Sequence, residues 1–337
     1  MGHRAADPPE IEGLEIEMFS SRSLFLTQKR SLSPVLLLAL VLLSAVTSFS
    51  TEPGHSASNS PIRIKGSFVI AAICKDGIIV ASDSRGTLKD QHGRRIAYYD
   101  INQKIFPVGD KLIADTGYAS LNDPKISFLA TLMAHFAASP SSQVAVDVLP
   151  ESYFAYASRV LPASGAASAR LQTLFFGGFK DGHPILCMYQ GESNHQTKCR
   201  VSGYLSSPNQ TISGLDNVGS LSFLQAAQIM RRTIDDYAAA VQPGSVGGPV
   251  VLRTITKTSS QWLETPPRWP NWQSFVDLAE DYKNDRLPFH LMPGVAKSQL
   301  DTLIEDGATW SRIAQQNPSL QKPGSDGPII GSYDKNR

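Results

Sequence analysis

The chain has 337 residues, enough for one large domain or two smaller ones with an ample core. Its 31 basic and 30 acidic residues nearly cancel, so it lacks the charge excess of a nucleic-acid binder or of a partner for strongly acidic surfaces. The three cysteines, Cys74, Cys187 and Cys199, are too few for a disulfide framework. With no CxxC and no HExxH, the residues point to no zinc site, and no metal or other cofactor is expected.

Residues 1–50 differ from the rest. A polar stretch runs to Pro34; Lys29 and Arg30 precede the apolar run Val35–Leu43, and small and polar residues follow from Ser44 to Ser50. A basic flank, a short apolar centre and small residues make an export signal. The run is short for a membrane span, which needs about 20 apolar residues, and an uncleaved signal anchor is the competing reading. The expected location is therefore periplasmic or secreted, or membrane-attached through this segment alone. An oxidising compartment would let Cys187 and Cys199, which flank the polar loop Gln190–Lys198, pair across a hairpin; two unpaired thiols in adjacent strands is the alternative. Asn209-Gln210-Thr211 matches a glycosylation sequon. Residues 51–66, rich in Ser, Pro, Gly and Asn, read as a flexible linker, and as a propeptide if Ser67 becomes an N-terminus.

Residues 67–258 carry the folded domain. Ser67–Lys75 and Ile78–Ser84 are expected as strands joined by Lys75-Asp76-Gly77, because Asp-Gly between apolar runs is a strong hairpin signal. Both runs are continuously apolar, so both faces of the hairpin should be covered. Gly86–Arg95 reads as a polar excursion. Strands are expected at Ile96–Tyr99, Lys104–Val108 and Lys111–Thr116. A helix is expected over Pro124–Ala137, opened by its proline, and another over Val144–Leu161, kinked or divided at Pro150. A second hairpin, Leu171–Phe179 and Pro184–Gln190, turns at Lys180-Asp181-Gly182. A strand at Cys199–Tyr204, a long helix at Leu221–Val241 and a strand at Pro249–Thr256 complete the domain. The order of strands, helices, strands, helix and strand predicts an α+β fold, a four-layer αββα sandwich with helices on the outer faces of two sheets. Residues 259–337 hold all four tryptophans and read as a C-terminal extension with short helices at Phe275–Tyr282 and Ser298–Ile313 and no legible chemistry.

The segment from Ser67 to Thr87, with Ala81-Ser82-Asp83-Ser84-Arg85-Gly86-Thr87, resembles the mature N-terminus of proteasome β-subunits and their relatives, the N-terminal nucleophile hydrolases. Three further stretches follow in the family's order: Gln103-Lys104 to Gly117, the hairpin Phe175–Gln190, and Val246-Gly247-Gly248-Pro249-Val250. The chain departs from the family pattern in carrying Ser67 where peptidase members mostly carry Thr, and Gln242-Pro-Gly-Ser-Val246 where they carry an Asp before the Gly-Gly.

The resemblance implies an N-terminal nucleophile (Ntn) hydrolase-like fold and roles for particular residues. Ser67 would be the nucleophile, exposed by autocatalytic cleavage at Gly66-Ser67. Lys104 would ease its deprotonation, Asp83 would pair with Lys104, Gly117 would offer an oxyanion donor, and Arg85 would support Asp83. Asp115 falls where relatives place a side chain lining the first substrate pocket, and an acidic wall there would favour a basic side chain. The implied partner is a peptide or amide substrate, with a homo-oligomeric ring as a further assembly; no nucleic acid is implied. The chemistry suits these residue types. A serine hydroxyl needs a nearby base, and an α-amine with an ordinary pKa of about 7.7–8.0 is in part neutral near pH 7. A non-catalytic scaffold or ring subunit of the same fold is the second function class. The histidines show no partner spacing.

Overall fold

The computed structural model describes residues 62–65, 67–191, 196–241 and 244–317. The described residues all belong to one compact unit. The apolar run Val35–Leu43 and Gly66 lie outside the described residues.

Strand β1 (Arg63–Lys65) comes first, from a stretch whose composition reads as linker. The reason is a short period-2 pattern, Ile62-Arg63-Ile64, that buries both isoleucines. Strands β2 (Val69–Cys74) and β3 (Gly77–Ser82) form the expected hairpin. The polar excursion is itself a hairpin, β4 (Gly86–Lys89) and β5 (Arg95–Tyr99). Its turn is built by Asp90, whose Oδ1 accepts the His92 and Arg94 amides at 3.0 and 2.9 Å. Strands β6 (Ile105–Val108) and β7 (Lys111–Asp115) follow.

Helix α1 (Leu129–Ala137) starts later than Pro124, because Asp123 takes the Lys125 and Ile126 amides into a separate turn and Ser127 Oγ donates to the Asp123 carbonyl. In α2 (Leu149–Val160) Pro150 lies in the first turn, where its missing N–H costs nothing, so it begins the helix rather than kinking it. Helix α3 (Ala163–Arg170) was not expected from periodicity. Strands β8 (Thr173–Lys180) and β9 (His183–Gln190) turn through Asp181 and Gly182, at φ 51° and 77°, the two positive values a two-residue primed turn requires. The single strand expected at Cys199–Tyr204 is two, β10 (Gln196–Arg200) and β11 (Gly203–Ser207). Helix α4 (Phe223–Ala240) opens on a capping box between Ser222 and Gln225. Strands β12 (Val251–Ile255) and β13 (Ser260–Trp262), helix α5 (Phe275–Lys283), strand β14 (His290–Leu291) and helix α6 (Lys297–Gln316) complete the order.

The described fold is mixed α and β, with six helices and three antiparallel sheets. Two sheets have five strands, in the orders β11-β2-β3-β12-β13 and β10-β9-β8-β7-β6; the third runs β1-β4-β5-β14. Val69, Ala71, Ile78 and Val80 pack with Leu112, Ala114, Phe175 and Leu186, so one core joins the two five-stranded sheets. The opposite face of the β2–β3 hairpin, Ile70, Ala72, Ile79 and Ala81, packs on Ala226, Met230 and Ile234 of α4. The opposite face of β8 and β9 packs on α1, α2 and α3 through Leu132, Phe136, Tyr153 and Ala169. Burial on both faces explains why these strands are continuously apolar. Cys187 and Cys199 stand opposite each other in β9 and β10 and form a disulfide. Among the described residues, no helix is long and apolar enough to cross a membrane.

The C-terminal extension, as far as residue 317, is part of the fold. It contributes β13 to one sheet and β14 to another, and Phe275, Leu278, Leu300 and Ile304 share a core with Ile62, Ile64, Leu88 and Tyr99. Phe275 is fully buried and meets the Phe128 and Trp310 rings. Phe275→Ala should therefore lower the unfolding free energy by about 3–5 kcal/mol in urea titration; a change within about 0.5 kcal/mol would mark a surface appendage instead.

Candidate active site

The end of β3 delivers Asp83, and the residue just before β6 is Lys104. Both side chains are fully buried, and Lys104 Nζ donates to Asp83 Oδ1 at 2.8 Å. A buried carboxylate is tolerated only when its lone pairs are satisfied. Asp83 meets that demand with the Phe68 amide on Oδ1 at 2.7 Å, and the Gly247 and Arg85 amides on Oδ2 at 3.0 and 3.3 Å. Its own amide donates to the Phe68 carbonyl at 3.2 Å. Ser67 is partly exposed and immediately precedes this doubly tethered Phe68, so the Asp83–Lys104 pair fixes the backbone one residue from the expected nucleophile.

The Gly-Gly pair reaches the same carboxylate by a route the sequence alone does not show. Gly247 donates to Asp83, and its carbonyl accepts the Ser84 amide at 3.1 Å. Gly247 has φ 151° and Gly248 φ 71°; a Cβ on the first would press on the Arg85 guanidinium, and one on the second on Ser84 and Asp100. Arg85 turns away from Asp83 to grip Asp100 through two bonds of 2.6 and 2.9 Å, and its guanidinium lies 3.9 Å from the centroid of the Tyr98 ring. Asp100, Tyr98 and the Phe68 amide thus join the site without a motif of their own.

Asp115, at the end of β7, is also buried, and its amide donates to the Lys104 carbonyl at 2.8 Å. Burial lowers the Lys104 pKa below the ordinary lysine range, and the negative charges of Asp83 and Asp115 oppose that fall. The Gly117 amide donates to Asp115 Oδ1 at 2.9 Å, so here it faces a carboxylate. A Cβ at Gly117 would collide with the Gln172 side chain, which accepts the Tyr118 amide at 2.6 Å. Asp115 lines a cavity of about 20 Å³ with Tyr99, Asn102, Gln103 and, from the C-terminal extension, Pro270 and Trp272. That volume holds about one water molecule. Ser67, Asp83, Lys104, Asp115 and Gly117 are thus linked through neighbouring backbone and one shared ion pair. Among the described residues, no group of three or more His, Cys, Asp or Glu side chains is placed to hold a metal ion.

A scan of protein-family models found no match to the sequence, and a search of curated proteins found none either.

Two consequences of the ion pair are measurable. Lys104→Met leaves Asp83 buried without its counter-charge and should cost about 3–5 kcal/mol of stability at neutral pH. Because folding lowers the Lys104 pKa, the unfolded chain binds that proton more tightly, so the lysine's contribution to stability rises with pH up to the ordinary value of 10.5. Urea unfolding across that alkaline window should show this slope in the wild type and its loss in Lys104→Met.

Proposed function

We propose that this chain is a proteasome β-subunit-like N-terminal nucleophile hydrolase that cleaves peptide or amide bonds with Ser67, after cutting its own Gly66-Ser67 bond. The observation that carries this reading is the buried Asp83–Lys104 pair held against the Phe68 amide, next to Ser67. The succession of cores supports the four-layer αββα arrangement: α1–α3 on one sheet, that sheet on the β2–β3 sheet, and α4 on the far face.

A free α-amine at Ser67, with an ordinary pKa of about 7.7–8.0, would be in part neutral near pH 7 and able to act as the base.

In the self-cleavage, Ser67 Oγ attacks the Gly66 carbonyl carbon, and the Ser67 nitrogen leaves as an amine while an ester forms. Water then hydrolyses the ester, giving a Gly66 carboxylate and a Ser67 with free amine and hydroxyl. In turnover that amine takes the Oγ proton as Oγ attacks a substrate amide, and passes it to the leaving nitrogen. Water releases the acyl group by the same path. Lys104, held by Asp83, lowers the cost of negative charge on Oγ. For Gly117 to serve the oxyanion, its amide must exchange Asp115 for the substrate oxygen.

The disulfide between Cys187 and Cys199 fits an exported, oxidising setting for this chemistry. Intact-mass measurement of the denatured mature protein should show a chain beginning at Ser67. Ser67→Ala should block that processing and lower amide hydrolysis by on the order of 10³-fold or more. A stable chain beginning upstream of Ser67 and without amide hydrolysis would leave the non-catalytic scaffold as the reading, whereas hydrolysis that survives Ser67→Ala would overturn Ser67 as the nucleophile.

A further inference from the structure

For the self-cleavage proposed above, the chain upstream of Ser67 is the acyl half of the substrate, and its fate after the cut depends on what holds it. Strand β1 is held on both edges. On one side Arg63, Ile64 and Lys65 pair with Lys89, Leu88 and Thr87 of β4. On the other, the Ile64 amide donates to Ser120 Oγ at 2.9 Å and its carbonyl accepts the Ala119 amide at 2.8 Å. The strand is therefore no free edge that solvent could peel away.

Its side chains are anchored as well. Ile62 and Ile64 are 1% and 0% exposed and share a core with Leu88, Tyr99, Phe275, Leu300 and Ile304. Ile62 lies against Gly307 of α6, where a Cβ would leave it no room. Full burial of one isoleucine corresponds to on the order of 10- to 100-fold in affinity, and two act together here.

We infer that β1 remains bound after the Gly66-Ser67 bond is hydrolysed, an inference that rests on the processing proposed above. The processed protein is then a two-chain molecule. Water contributes a hydroxyl to the new Gly66 carboxylate and a proton to the new Ser67 amine, and the upstream chain stays as a non-covalent strand of the β1-β4-β5-β14 sheet. The segment is a structural component of the mature domain, and whatever precedes it stays attached to the hydrolase.

Intact-mass measurement of the purified wild-type protein under denaturing and native conditions tests this. The expected result is two chains when denatured, one ending at Gly66 and one beginning at Ser67, and a single native species with their summed mass that survives gel filtration. A native species lacking the upstream chain overturns the inference. If the denatured protein is one uncut chain, the processing proposal fails separately. Retention is then read on a variant with a site-specific endoprotease sequence in place of Gly66, cut after purification: co-elution supports retention and separation overturns it. In either cut form, Ile64→Asp should speed loss of the upstream chain by at least 100-fold, and unchanged retention would show that burial of β1 is not what holds it.

Discussion

One buried ion pair organises the site. Asp83 and Lys104 lie wholly out of solvent, and such a pair persists only if every remaining lone pair of the carboxylate finds a donor. Three backbone amides meet that requirement, from the residue after Ser67, from Arg85 and from Gly247. Each lies on a different part of the chain. The pair is thus a poor source of net stability but a strict geometric specification: the start of β2, the end of β3, the approach to β6 and the loop before β12 must all arrive together.

The third sheet shows how the remainder of the molecule serves that arrangement. Its strands come from the segment before Ser67, from the β4–β5 hairpin and from the C-terminal region, with α5 and α6 covering them. Arg85 and Asp100 flank that hairpin and close its open end by a bidentate contact, while Ser84 Oγ, donating to the Asp100 and Pro249 carbonyls, ties it to the loop after Gly247 and Gly248. The C-terminal region also supplies Pro270 and Trp272 to the wall of the small cavity beside Asp115. An extension with no chemistry of its own therefore shapes the space next to the buried carboxylate.

Much of the central fold was legible because local chemistry there agrees with tertiary demand. Asp-Gly turns and doubly buried apolar strands mark the hairpins, and Ser222 with Gln225 marks the start of α4. Where local and tertiary signals conflict, the reading slipped. Pro124 is a plausible helix opener, but the Asp123 carboxylate captures the next two amides first. The polar residues between Lys89 and Arg95 conceal a hairpin because its turn is made by a side chain, Asp90. Asp83, Lys104 and the Gly-Gly pair were legible as motifs through resemblance. That Gly247 binds Asp83 was not, because the contact runs through a backbone amide from a distant part of the chain. Strand β1 was hidden by the composition around it: two isoleucines among Ser, Pro and Gly leave little periodic signal.

The contact between Ile62 and Gly307 joins nearly the two extremes of the described chain. During synthesis from the N-terminus, Ile62 therefore emerges long before the helix it rests on. The core that seats β1 is complete only once α6 has arrived, and contacts of such sequence separation form late. The stretch leading into Ser67 consequently takes up its final geometry after almost everything else. A nascent or C-terminally truncated chain would hold Asp83 and Lys104 without a seated β1, which would place assembly of the whole domain ahead of the self-cleavage proposed for it.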